Sequence, residues 1–106
     1  MRGLFWEEIV KIREVTVQIN KLGVKEEEKF KLLEVVYQTF NVSILDTVLS
    51  ELPEKKQKEF LAQLSEKPHS PKIIESLKEE VKDIEEKIIQ AAQRLKEKIL
   101  QQLEDL

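Results

Sequence analysis

Few residues in this chain could do chemistry, and His69 is the first to consider. It is the only histidine, it lies between Pro68 and Pro71, and histidine is a common general base and metal ligand. A general base needs an orienting partner and a metal ion needs several ligands, but no such group accompanies His69. Glu66 lies three residues earlier, yet Pro68 breaks the helix that a Glu-x-x-His metal motif requires. We therefore expect His69 to be a solvent-exposed loop residue.

Acidic runs are the second candidate for chemistry, as metal ligands or as an acid–base pair. Glutamates lie together at positions 26–28, 79–80 and 85–86, each within a predicted helix. Without a histidine or cysteine beside them, such runs are typical of solvated helix faces. The chain has no cysteine, and its two glycines, Gly3 and Gly23, form no phosphate-binding loop. The sequence therefore predicts no enzyme, no metal site and no cofactor.

Composition limits the kind of partner. The 106 residues are 37% charged and 41% hydrophobic, with a net charge of −3 from 18 basic and 21 acidic side chains. The charges are mixed along the whole chain, so no basic stripe exists to bind nucleic acid. A chain rich in Glu, Lys, Leu, Ile and Gln, with little Gly or Pro, is typical of a single helical domain.

The N-terminal segment could be a membrane anchor, because Leu4, Phe5 and Trp6 follow a cation. The acidic residues Glu7 and Glu8 come too soon for a signal peptide and work against an anionic surface. We therefore assign Trp6 to the core or to a protein interface. No apolar run approaches the length of a membrane span, about 20 residues, and we expect a cytoplasmic protein.

Four short helices are predicted before residue 65. The first runs from about Leu4 to Leu22 and stops at Gly23, a residue suited to a left-handed helix end. The second begins near Lys25 and stops near Asn41. The third begins at Ser43, which forms a capping-box pattern with residue 46. The fourth runs from residue 53 to about 64, and residues 65–71 form a loop or hinge.

The main feature of the predicted fold is a long helix in the last third of the chain. Ser70 can cap a helix whose first residue is Pro71, and apolar residues then recur at steps of three and four to the C-terminus. An unbroken helix would be about 54 Å long at about 1.5 Å per residue. Asp83 begins a second capping-box pattern, so the chain could instead bend near Lys82 and restart at Ile84. We favour continuity, because the apolar stripe stays in register and neither Gly nor Pro intervenes.

A resemblance to known proteins rests on the stretch LPEKKQKEFL at residues 52–61, preceded by the pairs Ile44-Leu45 and Val48-Leu49. The pattern resembles short all-helical proteins of unassigned function from candidate-phyla (ultra-small) bacteria. In those proteins an L-P-E-E-x-Q-x-x-F/L-L helix precedes a C-terminal helix rich in lysine and glutamate. The resemblance covers about residues 42–100. It implies a bacterial cytoplasmic protein and implies no activity.

The sequence as a whole predicts an all-α fold, with a compact bundle at 1–64, the hinge at 65–71 and one long C-terminal helix at 71–106. That helix is too long for so small a domain, whose radius of gyration should be about 13 Å. We therefore expect a non-enzymatic interaction or scaffolding module that forms a two-fold homodimer, with only a weakly supercoiled coiled coil. The predicted interface residues lie on the C-terminal helix: Ile84, Ile88, Leu95, Ile99 and Leu103. The alternative is a monomeric regulator whose apolar groove binds the helix of another protein.

Overall fold

The computed structural model describes residues 4–105, and the described chain is helical with no strand. Its five helices are α1 (Arg13–Asn20), α2 (Glu26–Glu51), α3 (Glu54–Glu66), α4 (Pro71–Glu80) and α5 (Ile84–Glu104). The all-α prediction is confirmed. The longest helix is α2, with 26 residues, and α5 follows with 21. The molecule measures 46 × 25 × 20 Å, with a radius of gyration of 15.0 Å, so it is elongated for its size.

The core lies mainly between α2 and α5, which run antiparallel, and α1 packs against both. Their orientation is seen at one end from an ion pair between Glu51 and Lys87 at 2.6 Å. At the other end, Leu32 and Leu103 line the same groove. Each helix buries one row of residues at three- or four-residue spacing, which is the spacing of a single helix face. These rows are Val36, Phe40, Ile44 and Val48 on α2, and Ile84, Ile88 and Ala92 on α5.

The N-terminal helix is shorter than predicted, because residues 5–9 form turns and α1 begins only at Arg13. The turn lets two consecutive aromatic side chains reach different helices. Phe5 packs edge-on against Phe60 of α3, with ring centroids 5.8 Å apart, while Trp6 lies 5.6 Å from Tyr37 of α2. On a regular helix the directions of successive side chains are fixed at about 100° apart, whereas a turn does not impose this angle. The Phe5 amide donates a 2.9 Å hydrogen bond to the carbonyl of Pro68, which anchors this turn to the α3–α4 loop.

The predicted stop at Gly23 is also wrong in detail. The helix ends at Asn20, and the amide of Lys21 donates to carbonyls of the last turn. Gly23 has no positive φ, so it does not act as a left-handed helix cap.

The predicted break between the second and third helices does not exist, because α2 is continuous through Asn41 and Ser43. The side-chain oxygen of Asn41 accepts a hydrogen bond from the buried Trp6 indole at 2.9 Å and caps no helix. The carbonyl of Ser43 accepts a hydrogen bond from the Thr47 hydroxyl at 2.9 Å, as in a helix interior. Because the buried row continues from Phe40 to Ile44 without a shift, a single helix buries it best.

The turn between α2 and α3 follows the prediction closely. Leu52 precedes Pro53 and has extended backbone angles, so α2 ends there and α3 begins one residue after the proline. The Gln57 side-chain amide donates to the carbonyls of Leu49 and Leu52, at 2.7 and 3.0 Å. These bonds help to satisfy the last carbonyls of α2, of which the Leu49 carbonyl also accepts a hydrogen bond from the Leu52 amide at 3.3 Å. The cap before α4 is present too, since the amide of Lys72 donates to the Ser70 hydroxyl at 3.3 Å.

The C-terminal helix is not continuous, and the prediction of a single helix from 71 to 106 is wrong over the described residues. Val81 is extended, at φ −134° and ψ 107°, and a new helix begins at Ile84, at the position of the alternative bend. Asp83 makes no side-chain cap hydrogen bond, so the capping-box pattern located the break without causing it. The break lets α4 pack against α3 while α5 packs between α1 and α2. Lys78 and Glu85 form an ion pair across it at 3.0 Å.

This break removes the length argument for a projecting helix. At about 1.5 Å per residue, α5 is about 31 Å long, which fits within the 46 Å length of the molecule. The apolar row at the start of α5 is covered by the chain's own core, so an external partner is not needed to bury it.

Candidate protein-interaction surface

The structure divides the five predicted interface residues into two groups. Ile84 and Ile88 have no exposed surface and belong to the core between α2 and α5. They cannot contact a second molecule without unfolding, so they are corrected from interface to core residues. Leu95, Ile99 and Leu103, further along α5, are only partly buried.

The three partly buried residues of α5 line one side of an apolar groove. The N-terminal half of α2 forms the other side, and the groove has a volume of about 400 Å³. Six aliphatic residues line it: Leu32, Val35, Val36, Leu95, Ile99 and Leu103. Thr39, Gln102 and Lys98 complete the lining. An open apolar groove between two helices, with polar groups at its edge, is the kind of site that accepts an amphipathic helix.

The α2 side of the groove continues into an exposed apolar surface. Val35 is 59% exposed and Val42 is 66% exposed, while the buried row of the same helix lies on the opposite side. Seven residues separate the two valines, so they lie on one face, two turns apart. Phe30, 71% exposed, lies on another side of the same helix. Prediction from sequence missed this surface, because it assigned α2 to two short helices with one buried face each.

Charges next to the exposed valines have no partner within the described residues. Lys31 lies one turn before Val35, and Asp46 lies one turn after Val42; both are exposed and neither forms an ion pair there. The groove itself carries one charged residue in its lining, Lys98, and no carboxylate. This surface of α2 and α5 is therefore apolar along its middle and carries unpaired charges at its margins.

Elsewhere, charged residues form ion pairs between helices. Lys56 of α3 lies 3.2 Å from both Glu59 and Glu80, and its hydrogen bond to Glu80 is the main cause of a raised pKa. Lys87 of α5 lies 2.6 Å from Glu51, and that hydrogen bond raises the pKa of Lys87. Both lysines stay protonated at neutral pH and hold neighbouring helices together. Neither has the lowered pKa that a lysine acting as a base or nucleophile requires.

A second cleft, of about 470 Å³, lies between α3 and α4 beside Lys56. Three of its four charged side chains, Lys56, Glu59 and Glu80, belong to that ion-pair group, and Glu79 is the fourth. His69 is exposed in the loop between these helices, as predicted. Within residues 4–105, no group of three or more acidic, histidine or cysteine side chains could hold a metal ion.

By length and composition alone, α2 could cross a membrane, and 22% of its most apolar window is buried. The core helix of a soluble protein passes the same test. Here α2 buries one face against α1 and α5, and its window contains Glu34 and Asp46. The expectation that the chain has no membrane span stays a prediction.

No protein-family model, curated protein or solved structure matches this chain. The resemblance of residues 42–100 to helical proteins of candidate-phyla bacteria therefore stays a prediction.

Proposed function

We propose that the protein is a non-enzymatic interaction module whose working surface is the groove between α2 and α5. The observation that carries this proposal is the convergence of Leu95, Ile99 and Leu103 with exposed Val35 in one open apolar cavity. The chain forms one helical bundle that exposes this groove. An apolar groove with polar residues at its rim is the kind of surface at which proteins bind partners.

The preferred occupant is an amphipathic helix that inserts apolar residues at positions i, i+3 or i+4, and i+7. A cavity of about 400 Å³ has room for a few aliphatic side chains and not for a folded domain. The single lysine in the lining, Lys98, favours a helix with a carboxylate beside its apolar row. In this proposal the end of α5 contacts a partner, as the sequence predicted, and α2 forms the other side of the groove.

The test is a selection of helical peptides from a random library, followed by NMR mapping of the bound site. We expect the selected peptides to share helical apolar spacing and to shift the methyl signals of Leu95, Ile99 and Leu103. In Val35→Glu, a carboxylate at the groove should weaken binding by about 2 kcal/mol, or about thirtyfold. Val35 is 59% exposed, so this variant should still fold.

Leu61→Glu is the matched control. Leu61 is 45% exposed on α3, away from the groove, so the same change in chemistry should leave peptide binding unaltered. The proposal is wrong if peptides bind Val35→Glu as tightly as the wild type, or if their shifts cluster outside the groove. A selection that enriches no helical peptide would also contradict it.

A further inference from the structure

The outer face of α2 has a symmetric order of residues. Lys31, Val35, Val42 and Asp46 follow one another at steps of four, seven and four, so they share one face of the helix. All four are exposed, and the two charges have no ion-pair partner within the described residues. Read from the opposite direction, the order is anion, valine, valine, cation. The row is therefore complementary to an antiparallel copy of itself.

We propose that a second copy of this chain covers this face, with the two α2 helices antiparallel about a two-fold axis between Gln38 and Thr39. In that register, Val35 faces Val42 of the other copy. Lys31 lies level with Asp46 of the other copy, and the same contacts occur again across the axis. This is an isologous interface, in which one surface serves both subunits. The inference rests on the proposed function, since it names a second α2 as the helix that covers the edge of the groove at Val35.

Charge complementarity favours this occupant over an unrelated helix. An unrelated partner would require no symmetry in the spacing of α2, whereas a two-fold pair requires each cation to face an anion of the other copy. A membrane surface is also a poor fit, because Asp46 and the glutamates at 26–28 lie on the same helix as the valines. Val35 belongs to the groove lining, so the second α2 also closes the groove edge.

A charge-swap experiment tests this register. The dissociation constant of the dimer is measured by analytical ultracentrifugation on the full chain. We expect Lys31→Asp and Asp46→Lys each to raise it about tenfold or more, because each places like charges together twice across the interface. The double variant Lys31→Asp/Asp46→Lys should restore the affinity to within about threefold of the wild type. Lys58→Asp, the same change at an exposed lysine of α3 that forms no ion pair within the described residues, is the matched control and should change little.

Cross-linking provides a second, independent measurement. The chain has no cysteine, so a single introduced cysteine reports one contact. Gln38→Cys lies beside the proposed axis, where helix packing brings the two copies within the Cα separation of a disulfide, about 4.4–6.8 Å. We expect it to form a covalent dimer under mild oxidation. Gln63→Cys, exposed on α3, should not.

The outcomes separate this inference from the proposed function. A chain that stays monomeric to high micromolar concentration overturns the dimer, as does a dimer insensitive to the charge variants or a double variant without rescue. If the groove still binds selected helical peptides in that case, the interaction module remains and only the occupant is wrong. If neither dimer nor peptide forms, both proposals fail. Binding of the wild type to anionic vesicles without dimerisation would identify lipid as the occupant and would also overturn the inference.

Discussion

Adjacent isoleucines on α5 give a direct test of which face of this helix is buried. Ile88 has no exposed surface, while Ile89, the next residue, is 46% exposed. Replacement of either by alanine removes three carbon atoms and improves helix propensity by the same amount, about 0.4 kcal/mol. The difference between the two variants therefore reports burial alone.

The expected loss is worked from that burial. Each buried methylene contributes about 0.8 kcal/mol, so Ile88→Ala loses about 2.4 kcal/mol of transfer energy and a further amount for the cavity. The net loss should be about 3 kcal/mol after the gain in helix propensity. For Ile89, about half of the transfer energy applies, and the net loss should be about 1 kcal/mol.

Equilibrium urea unfolding measures both values. Helical circular dichroism follows the secondary structure, and the fluorescence of Trp6, the only tryptophan, follows the core in which it is buried. The free energies of unfolding of the two variants should differ by about 2 kcal/mol, and the slope of that free energy against urea concentration should be unchanged. If the two losses agree within about 0.5 kcal/mol, or if Ile89→Ala is the more damaging, α5 is rotated relative to the arrangement described here.

Three further predictions follow from hydrogen bonds and ion pairs. Asn41→Ala leaves the buried indole N–H of Trp6 without its acceptor, so urea unfolding should show a loss of about 1–3 kcal/mol; an unchanged midpoint would contradict this. Gln57→Ala removes two hydrogen bonds from the end of α2, and should cost about 1–2 kcal/mol and speed hydrogen exchange at the α2–α3 corner. The pKa values of Lys56 and Lys87 are raised above 10.5, so the stability that they contribute is fully present below pH 10.5 and lost as the pH rises through the raised values. The midpoint temperature of thermal unfolding should therefore not change with the ionisation of these lysines between about pH 7 and 9. Above about pH 10.5 it should fall, and it should fall less steeply in Lys87→Met.

The prediction that Trp6 belongs to the core or to a protein interface came from residue type, but its position required the tertiary structure. A large aromatic in a helical chain is expected in a core. The turn at residues 5–9 was not visible in the pattern, because Phe5, Ile9 and Ile12 also match a helix. The local preference for a helix is overridden by contacts of this turn with α2, α3 and the carbonyl of Pro68, all of which are distant in the sequence.

Ser43-x-x-Asp46 and Asp83-x-x-Glu86 carry similar local signals and have different outcomes. The first lies inside a continuous helix and the second lies at a break. Local propensity differs by a fraction of a kcal/mol between such sites, whereas burial of one isoleucine contributes about 2 kcal/mol. At Ser43 the buried row continues along one helix. At Asp83 a bend buries Leu77 and Ile84 against different neighbours.

By itself, the sequence determined the helical class, the corner at Pro53, the Ser70 cap and an exposed His69, because these depend on local spacing, capping and proline geometry. Only the tertiary structure decided which apolar residues of α5 are core and which remain at the surface. Apolar spacing shows that residues share a face, but not what covers that face. Ile88 and Leu95 belong to one stripe, yet the first is closed off by α1 and α2 while the second borders an open groove. Burial is a property of the neighbours that the fold supplies, which is why the interaction surface became visible only in three dimensions.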